Sequence, residues 1–250
     1  MKKIIILLLA TAALSFAFPS KKKIKIFLAG DSTIAFKETK AYPETGWGMP
    51  FVHFWDSSVT VVNRAKNGRS TKTFLSEGLW KSIYDEAGEG DYVIIQFGHN
   101  DESVTKMERY ASPDTFKMNL TRFVQETRAK KATPVLLTPV SRRKFDKDGI
   151  AIQTHEQYSA LVREVAKEQA VAFIDLDEKS RALYQQFGPE NSKLLFLQLK
   201  AGEHPNYPDG KDDNTHFNEL GARLIAQLVL TELKTLNPEL NERIIKPIKK

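Results

Sequence analysis

Five short apolar segments, rich in β-branched residues, recur along the chain at residues 24–29, 59–65, 92–97, 134–140 and 171–176. Each reads as a strand buried on both faces. Between them lie stretches whose apolar residues fall at helical spacing. Examples are Phe116, Leu120, Phe123 and Val124, then Tyr158, Leu161, Val162 and Val165. The last is the clearest, with Leu220, Leu224, Ile225, Leu228 and Val229 on one stripe, Asn218 as its N-cap and Pro238 beyond its end. Strands alternating with helices predict a parallel sheet covered on both faces. With 250 residues, 41% of them hydrophobic, the chain can bury a full core, and no repeat, low-complexity tract or linker divides it. The expectation is one three-layer α/β domain with a five-stranded parallel sheet, running from residue 18 to 250. The stretch 202–215 reads as a long polar loop.

Residues 1–17 read as an address. Lys2 and Lys3 precede an apolar run at 4–14, and Ser15, Phe16 and Ala17 put small residues where a signal peptidase reads. The run is shorter than the ~20 apolar residues of a bilayer span, so export with cleavage after Ala17 is expected, and no membrane span in the mature protein. The destination is the periplasm or the cell exterior. The 37 Lys and Arg exceed the 31 Asp and Glu by six, but the excess is spread along the sequence, with only Lys21 to Lys23 forming a run near the start, so no nucleic-acid footprint is predicted. The absence of cysteine removes disulfides, thiolate metal sites and cysteine nucleophiles together.

In an open parallel sheet, ligands bind where loops leave the carboxyl ends of the strands. Gly30, Asp31, Ser32 and Thr33 follow the first segment. Asn67, Gly68, Arg69 and Ser70 follow the second, and Gly98, His99, Asn100 and Asp101 the third. Asp212 to His216 precede the last helix. Acyl transfer through serine needs a hydroxyl, a base, a carboxylate to orient the base, and donors for the oxyanion. Ser32 is the candidate nucleophile, His216 the base, and Asp213, three residues earlier, the orienting carboxylate. The backbone N–H groups of Ser32 and Gly68 and the side-chain amide of Asn100 are the candidate oxyanion donors. Taken singly, each has a plainer reading: Gly-Asp-Ser and Asn-Gly as turns, Asn100 and Asp101 as a helix cap, His216 as a surface histidine. His53, His155 and His204 have no partner pattern, and Trp55 and Trp80 read as packing residues.

The ordered segments 27–33 and 98–101, with Gly68 and with Asp213, Asn214, Thr215 and His216, resemble the GDSL or SGNH hydrolases. Gly-Asp-Ser-Thr at 30–33, Gly46-Trp47-Gly48, and the stretches 68–74, 138–143 and 211–217 are similar to the rhamnogalacturonan acetylesterase group of carbohydrate esterases. The resemblance spans residues 24–230. It implies a flavodoxin-like sheet, no metal or cofactor, and a shallow site with Ser32, Asp213 and His216 as triad and Ser32, Gly68 and Asn100 as oxyanion hole. It also implies removal of acetyl groups from pectin-type polysaccharide or oligosaccharide. Trp47 would then stack on a sugar face, and Arg69, Arg142 or Arg143 would contact galacturonate carboxylates.

Two rival classes use the same residues. Asp31, His99, Asp101, Asp213 and His216 form a possible ligand set for a metal-dependent phosphoesterase, a reading that leaves Ser32, Gly68 and Asn100 without roles. The other is a carbohydrate-binding protein with an inactive triad. Acetylated xylan and other acyl esters are alternative substrates for the same chemistry, because a serine mechanism reads only the carbonyl. Oligomeric state is not legible.

Overall fold

The computed structural model describes residues 21–246. The expected signal segment, 1–17, lies outside them. Five parallel strands form the central sheet: β1 Ile24–Gly30, β2 Val59–Asn63, β3 Tyr92–Gln96, β4 Thr133–Leu137 and β5 Ala172–Ile174, in the order β2-β1-β3-β4-β5. The change of direction between β1 and β3 creates the crevice in which such sheets bind ligands.

Strand alternation sends side chains to two separate cores. Ile24, Ile26, Leu28, Tyr92, Ile94, Val135 and Leu137 face one way. There they pack against α1 (Gly48–Phe51) and the stripe Ala222, Ile225, Ala226, Val229 and Leu233 of α7 (Glu219–Leu236). Phe27, Ala29, Val93, Ile95 and Leu136 face the other way. They meet α2 (Thr71–Ser76), α3 (Leu79–Glu86), α4 (Pro113–Ala129) and α5 (Glu156–Glu168). The fold is therefore the three-layer α/β arrangement that the alternation of segments predicts. Helix α6 (Leu176–Asn191) breaks at Gly188, before Pro189, and the short α8 (Pro238–Asn241) follows α7.

Capping fixes where the helices begin. Asn218 Oδ1 accepts from Gly221 N at 3.1 Å at the start of α7. Ser70 and Thr73 exchange side-chain and backbone hydrogen bonds in a capping box at α2. Helix α4 is capped by Ser112, with Pro113 in its first turn, so Asn100 and Asp101 do not cap it.

The stretch 202–215 is not all loop. Residues Lys211–Phe217 form β7, antiparallel to β6 (Phe196–Leu199). Its sequence, KDDNTHF, has no alternating apolar face to announce a strand. Pairing with β6, and the bond from Thr45 N to Phe217 O at 2.8 Å, hold it extended.

Candidate active site

Where β1 ends, the chain turns sharply at Asp31, whose carbonyl accepts from Ile34 N and Ala35 N. The buried Asp31 carboxylate closes the turn by accepting from the Thr33 N–H at 2.9 Å and the Thr33 hydroxyl at 2.8 Å. Gln96, the partner of Gly30 across β1 and β3, donates to Thr33 Oγ1 at 2.7 Å and accepts from Trp47 Nε1 at 3.0 Å. Gly30 itself has no room for a Cβ, which would stand 2.7 Å from the Gln96 carbonyl oxygen. A continuous buried chain from Trp47 through Gln96 and Thr33 to Asp31 thus holds Ser32 half-exposed at the crevice.

His216 reaches Ser32 from the end of β7. Its Nε2 lies 3.0 Å from Ser32 Oγ, and its Nδ1 lies 2.8 Å from Asp213 Oδ2. The other Asp213 oxygen accepts from the backbone N–H of Thr215 at 2.8 Å and of His216 at 2.9 Å. Burial alone would raise the Asp213 pKa, but the bond and charge of His216 and the two N–H groups hold it well below the usual carboxylate range. Asp213 is therefore an anion that accepts the Nδ1 proton and leaves Nε2 free to accept from Ser32 Oγ.

Gly68 sits in the left-handed region at φ 74°, in the loop after β2. Asn100 Nδ2 donates to the Arg69 carbonyl at 2.9 Å, which ties that loop to the one after β3 and leaves a second amide hydrogen for the cavity. Beneath it, Asp101 accepts from the N–H and hydroxyl of Thr71 at 2.8 and 2.6 Å. Burial is the main force on Asp101 and pushes its pKa up to about 7, aided by Asp31 and opposed by Thr71.

Ser32, Gly68, Asn100, Asp213 and His216 line one cavity of about 490 Å³, together with Glu44, His99, Lys106, Arg109 and Arg142. A larger groove of about 690 Å³ lies between residues 193–200 and 209–212 and contains none of the five.

Several expected contacts fall elsewhere. Trp47 is fully buried against Phe51, with its N–H spent on Gln96, so it is a core support of the Ser32 turn and offers no face to a sugar. Arg143 is a strut: it donates to Asn214 Oδ1 at 2.8 Å, to Ser192 Oγ at 2.9 Å and to the Pro189 carbonyl. Arg69 is bound to Glu77 and to its own loop, and it is absent from the cavity wall. Arg142 does line the cavity, donating to Thr215 Oγ1 at 2.8 Å. Trp55 and Trp80 are buried.

The ligand set of the phosphoesterase reading does not assemble. Asp31 and Asp101 are each buried and hold a threonine, while both His216 nitrogens are engaged. Among the described residues no three His, Asp or Glu side chains are grouped so that they could hold a metal ion.

The model of the GDSL-like lipase/acylhydrolase family matches residues 28–224. The chain belongs to this family. As a GDSL-family acylhydrolase it is 42% identical over 225 residues to rhamnogalacturonan acetylesterase RhgT of Bacillus subtilis (strain 168), covering 90% of this chain and 96% of that one. It is 36% identical to the probable rhamnogalacturonan acetylesterase YesY of the same organism, over 88% and 97% of the two chains. The crystal structure of the Bacillus subtilis protein YXIM matches with a TM-score of 0.74 and 28% identity, over 86% of this chain and 57% of that one. Axe2, an acetylxylan esterase from Geobacillus stearothermophilus, shares the fold, with a TM-score of 0.59 and 16% identity over 85% and 94% of the chains.

Three features of this acylhydrolase site escaped the reading of its sequence. Lys106 and Arg109 reach the cavity from residues 100–111, a run of turns closed by the bond from Ala111 N to Asp101 O. Basic residues in a polar loop look alike whether they face solvent or a site. Behind the cavity wall, buried His155 donates from Nδ1 to Glu102 Oε1 at 2.9 Å and packs edge-on against His99, their ring centroids 4.1 Å apart. Burial above all, with the positive charge of Arg142 nearby, pushes the His99 pKa well below its usual value and keeps it neutral. Third, Lys37 is held in a nearly buried pair with Glu44 at 2.6 Å.

Proposed function

We propose that this chain is a serine esterase that removes O-acetyl groups from polysaccharide, with pectic rhamnogalacturonan as its foremost substrate, and that it acts after export. The observation that carries the reading is the continuous line from Ser32 Oγ through His216 to Asp213, at 3.0 and 2.8 Å, opening on a cavity flanked by unspent N–H donors. The names of the relatives support the choice of acetyl ester and polymer.

In this mechanism His216 takes the Ser32 proton as Oγ attacks the acetyl carbonyl. The N–H groups of Ser32 and Gly68 and the Asn100 amide stabilise the oxyanion. His216, now protonated and held by anionic Asp213, returns the proton to the departing sugar hydroxyl. Water, deprotonated by the same ring, then attacks the acetyl-serine; the Ser32 Oγ–acyl bond breaks, the ring returns the proton to Oγ, and acetate leaves.

The test is acetate release from acetylated rhamnogalacturonan, homogalacturonan and xylan, with Ser32→Ala alongside. Serine-dependent release greatest from rhamnogalacturonan is expected, with kcat of the variant down by at least ~10³ in a folded protein. Near-normal turnover by Ser32→Ala would end the serine mechanism. Preference for xylan would move the substrate, and binding without release would move the protein to the carbohydrate-binding class. Export is tested by the N-terminus of the protein recovered from a secreting host, expected at Phe18.

A further inference from the structure

The walls of the cavity carry an unbalanced charge. Its two carboxylates are committed, Glu44 to Lys37 at 2.6 Å and Asp213 to His216 at 2.8 Å. Of its three cations, Arg142 faces Glu102 at 3.5 Å, a carboxylate it shares with His155. Among the described residues, Lys106 and Arg109 have no carboxylate within 4.0 Å and their side chains make no hydrogen bond within the protein. The Arg109 Nε is buried, so it is the terminal amino groups of the guanidinium that are left for a ligand in the cavity. Two cavity-lining cations without a carboxylate of their own favour an anionic ligand.

The position of Arg109 says which kind. Arg109 Nη1 stands 3.3 Å from where a Cβ on Gly68 would lie, so the guanidinium rests against the residue whose N–H is a candidate oxyanion donor. A substrate whose ester carbonyl meets the Gly68 N–H therefore brings its adjoining groups up to Arg109. The planar fork of donors suits a carboxylate bound through two oxygens, and Lys106 adds a second positive charge to the same cavity wall. The loop is fixed in place beforehand by Lys106 N to Ser103 O, Arg109 N to Lys106 O and Ala111 N to Asp101 O, at 2.9, 3.0 and 3.1 Å.

We propose that Arg109, supported by Lys106, is the specificity-determining residue of the site and binds the carboxylate of a uronate residue adjoining the acetylated sugar. This rests on the reading of the chain as an esterase of acidic polysaccharide, and it replaces Arg69 and Arg143 as carboxylate contacts.

The experiment compares acetylated rhamnogalacturonan oligosaccharide with the same oligosaccharide after reduction of its carboxyls to alcohols. The wild type is expected to favour the acidic form by about tenfold or more in kcat/KM, mainly through KM, and Arg109→Gln to bring that preference to about twofold, with Arg109→Lys recovering part of it. An equal loss on both forms would overturn the assignment and make Arg109 part of the acyl site or of the scaffold. A second arm needs no variant and no acetylated polymer. Galacturonic acid oligomers should inhibit wild-type hydrolysis of 4-nitrophenyl acetate competitively, more weakly as salt rises, while carboxyl-reduced oligomers should not. Equal inhibition by both would overturn the proposal. If the wild type releases no acetate from the polymer, the substrate reading falls alone, and the inhibition arm still decides whether the cavity reads carboxylates.

Discussion

Replacing Trp47 with Phe separates a core support from a sugar platform. The side chain is fully buried, its ring meets Phe51 edge-on at 5.5 Å, and its N–H donates to Gln96 Oε1 at 3.0 Å. The smaller ring leaves a gap worth ~1–2 kcal/mol. Stranding the Gln96 oxygen adds ~1–3 kcal/mol. A loss of roughly 2–5 kcal/mol is expected in urea unfolding, a large part of the 5–15 kcal/mol that holds a typical domain together. Gln96→Leu strands the Trp47 N–H instead, so the double variant should lose less than the sum of the two by ~1–2 kcal/mol. Because Gln96 also holds Thr33, and Thr33 holds Asp31, any kinetic effect should fall on kcat. Stability within about 0.5 kcal/mol of wild type, combined with a raised KM for polysaccharide, would refute this account and restore Trp47 as a sugar contact.

Asn100→Ala should lower kcat on the order of 10²-fold, measured by acetate release, if its second amide hydrogen serves the oxyanion; an unchanged rate would leave it only the tie to Arg69. Asp101→Asn tests the buried carboxylate. With the folded pKa raised to about 7 from 3.8, the native state holds a proton that the unfolded state has lost between those values, so wild-type stability falls as pH rises through that window. The variant has no such proton, and its stability relative to wild type should climb by about 1.4 kcal/mol per pH unit there; urea midpoints showing a pH-independent difference would contradict it. Ser32→Ala should retain the wild-type free energy of unfolding within about 0.5 kcal/mol, since the Ser32 side chain makes its hydrogen bond to His216 at the half-open rim, and a larger loss would mean the hydroxyl also holds the fold.

The inner strands β1, β3 and β4 were legible because a strand covered on both faces is mostly apolar, as YVIIQ is; the edge strands β2 and β5 are only partly buried and were read from their short β-branched and apolar runs. The carboxyl-end rim follows from that alternation, and with it the neighbourhood of Ser32, Gly68, Asn100 and His216. Asn218 was legible as a cap because capping is settled within four residues. Strand β7 was not, because KDDNTHF becomes extended only when β6 and Thr45 supply partners from elsewhere. Trp47 illustrates the same divide: its place in Gly-Trp-Gly is a local fact, but whether the indole meets sugar or Gln96 depends on β3, 49 residues away. Arg69, Arg109, Arg142 and Arg143 are chemically identical in the sequence. Only the folded chain gives Glu77 to the first, Asn214 to the last and Glu102 to Arg142, and leaves Arg109 on the cavity wall with no carboxylate partner among the described residues. Periodicity and caps are local properties of a chain, whereas the pairing of a charge depends on which distant residues the fold brings within a few ångströms of it.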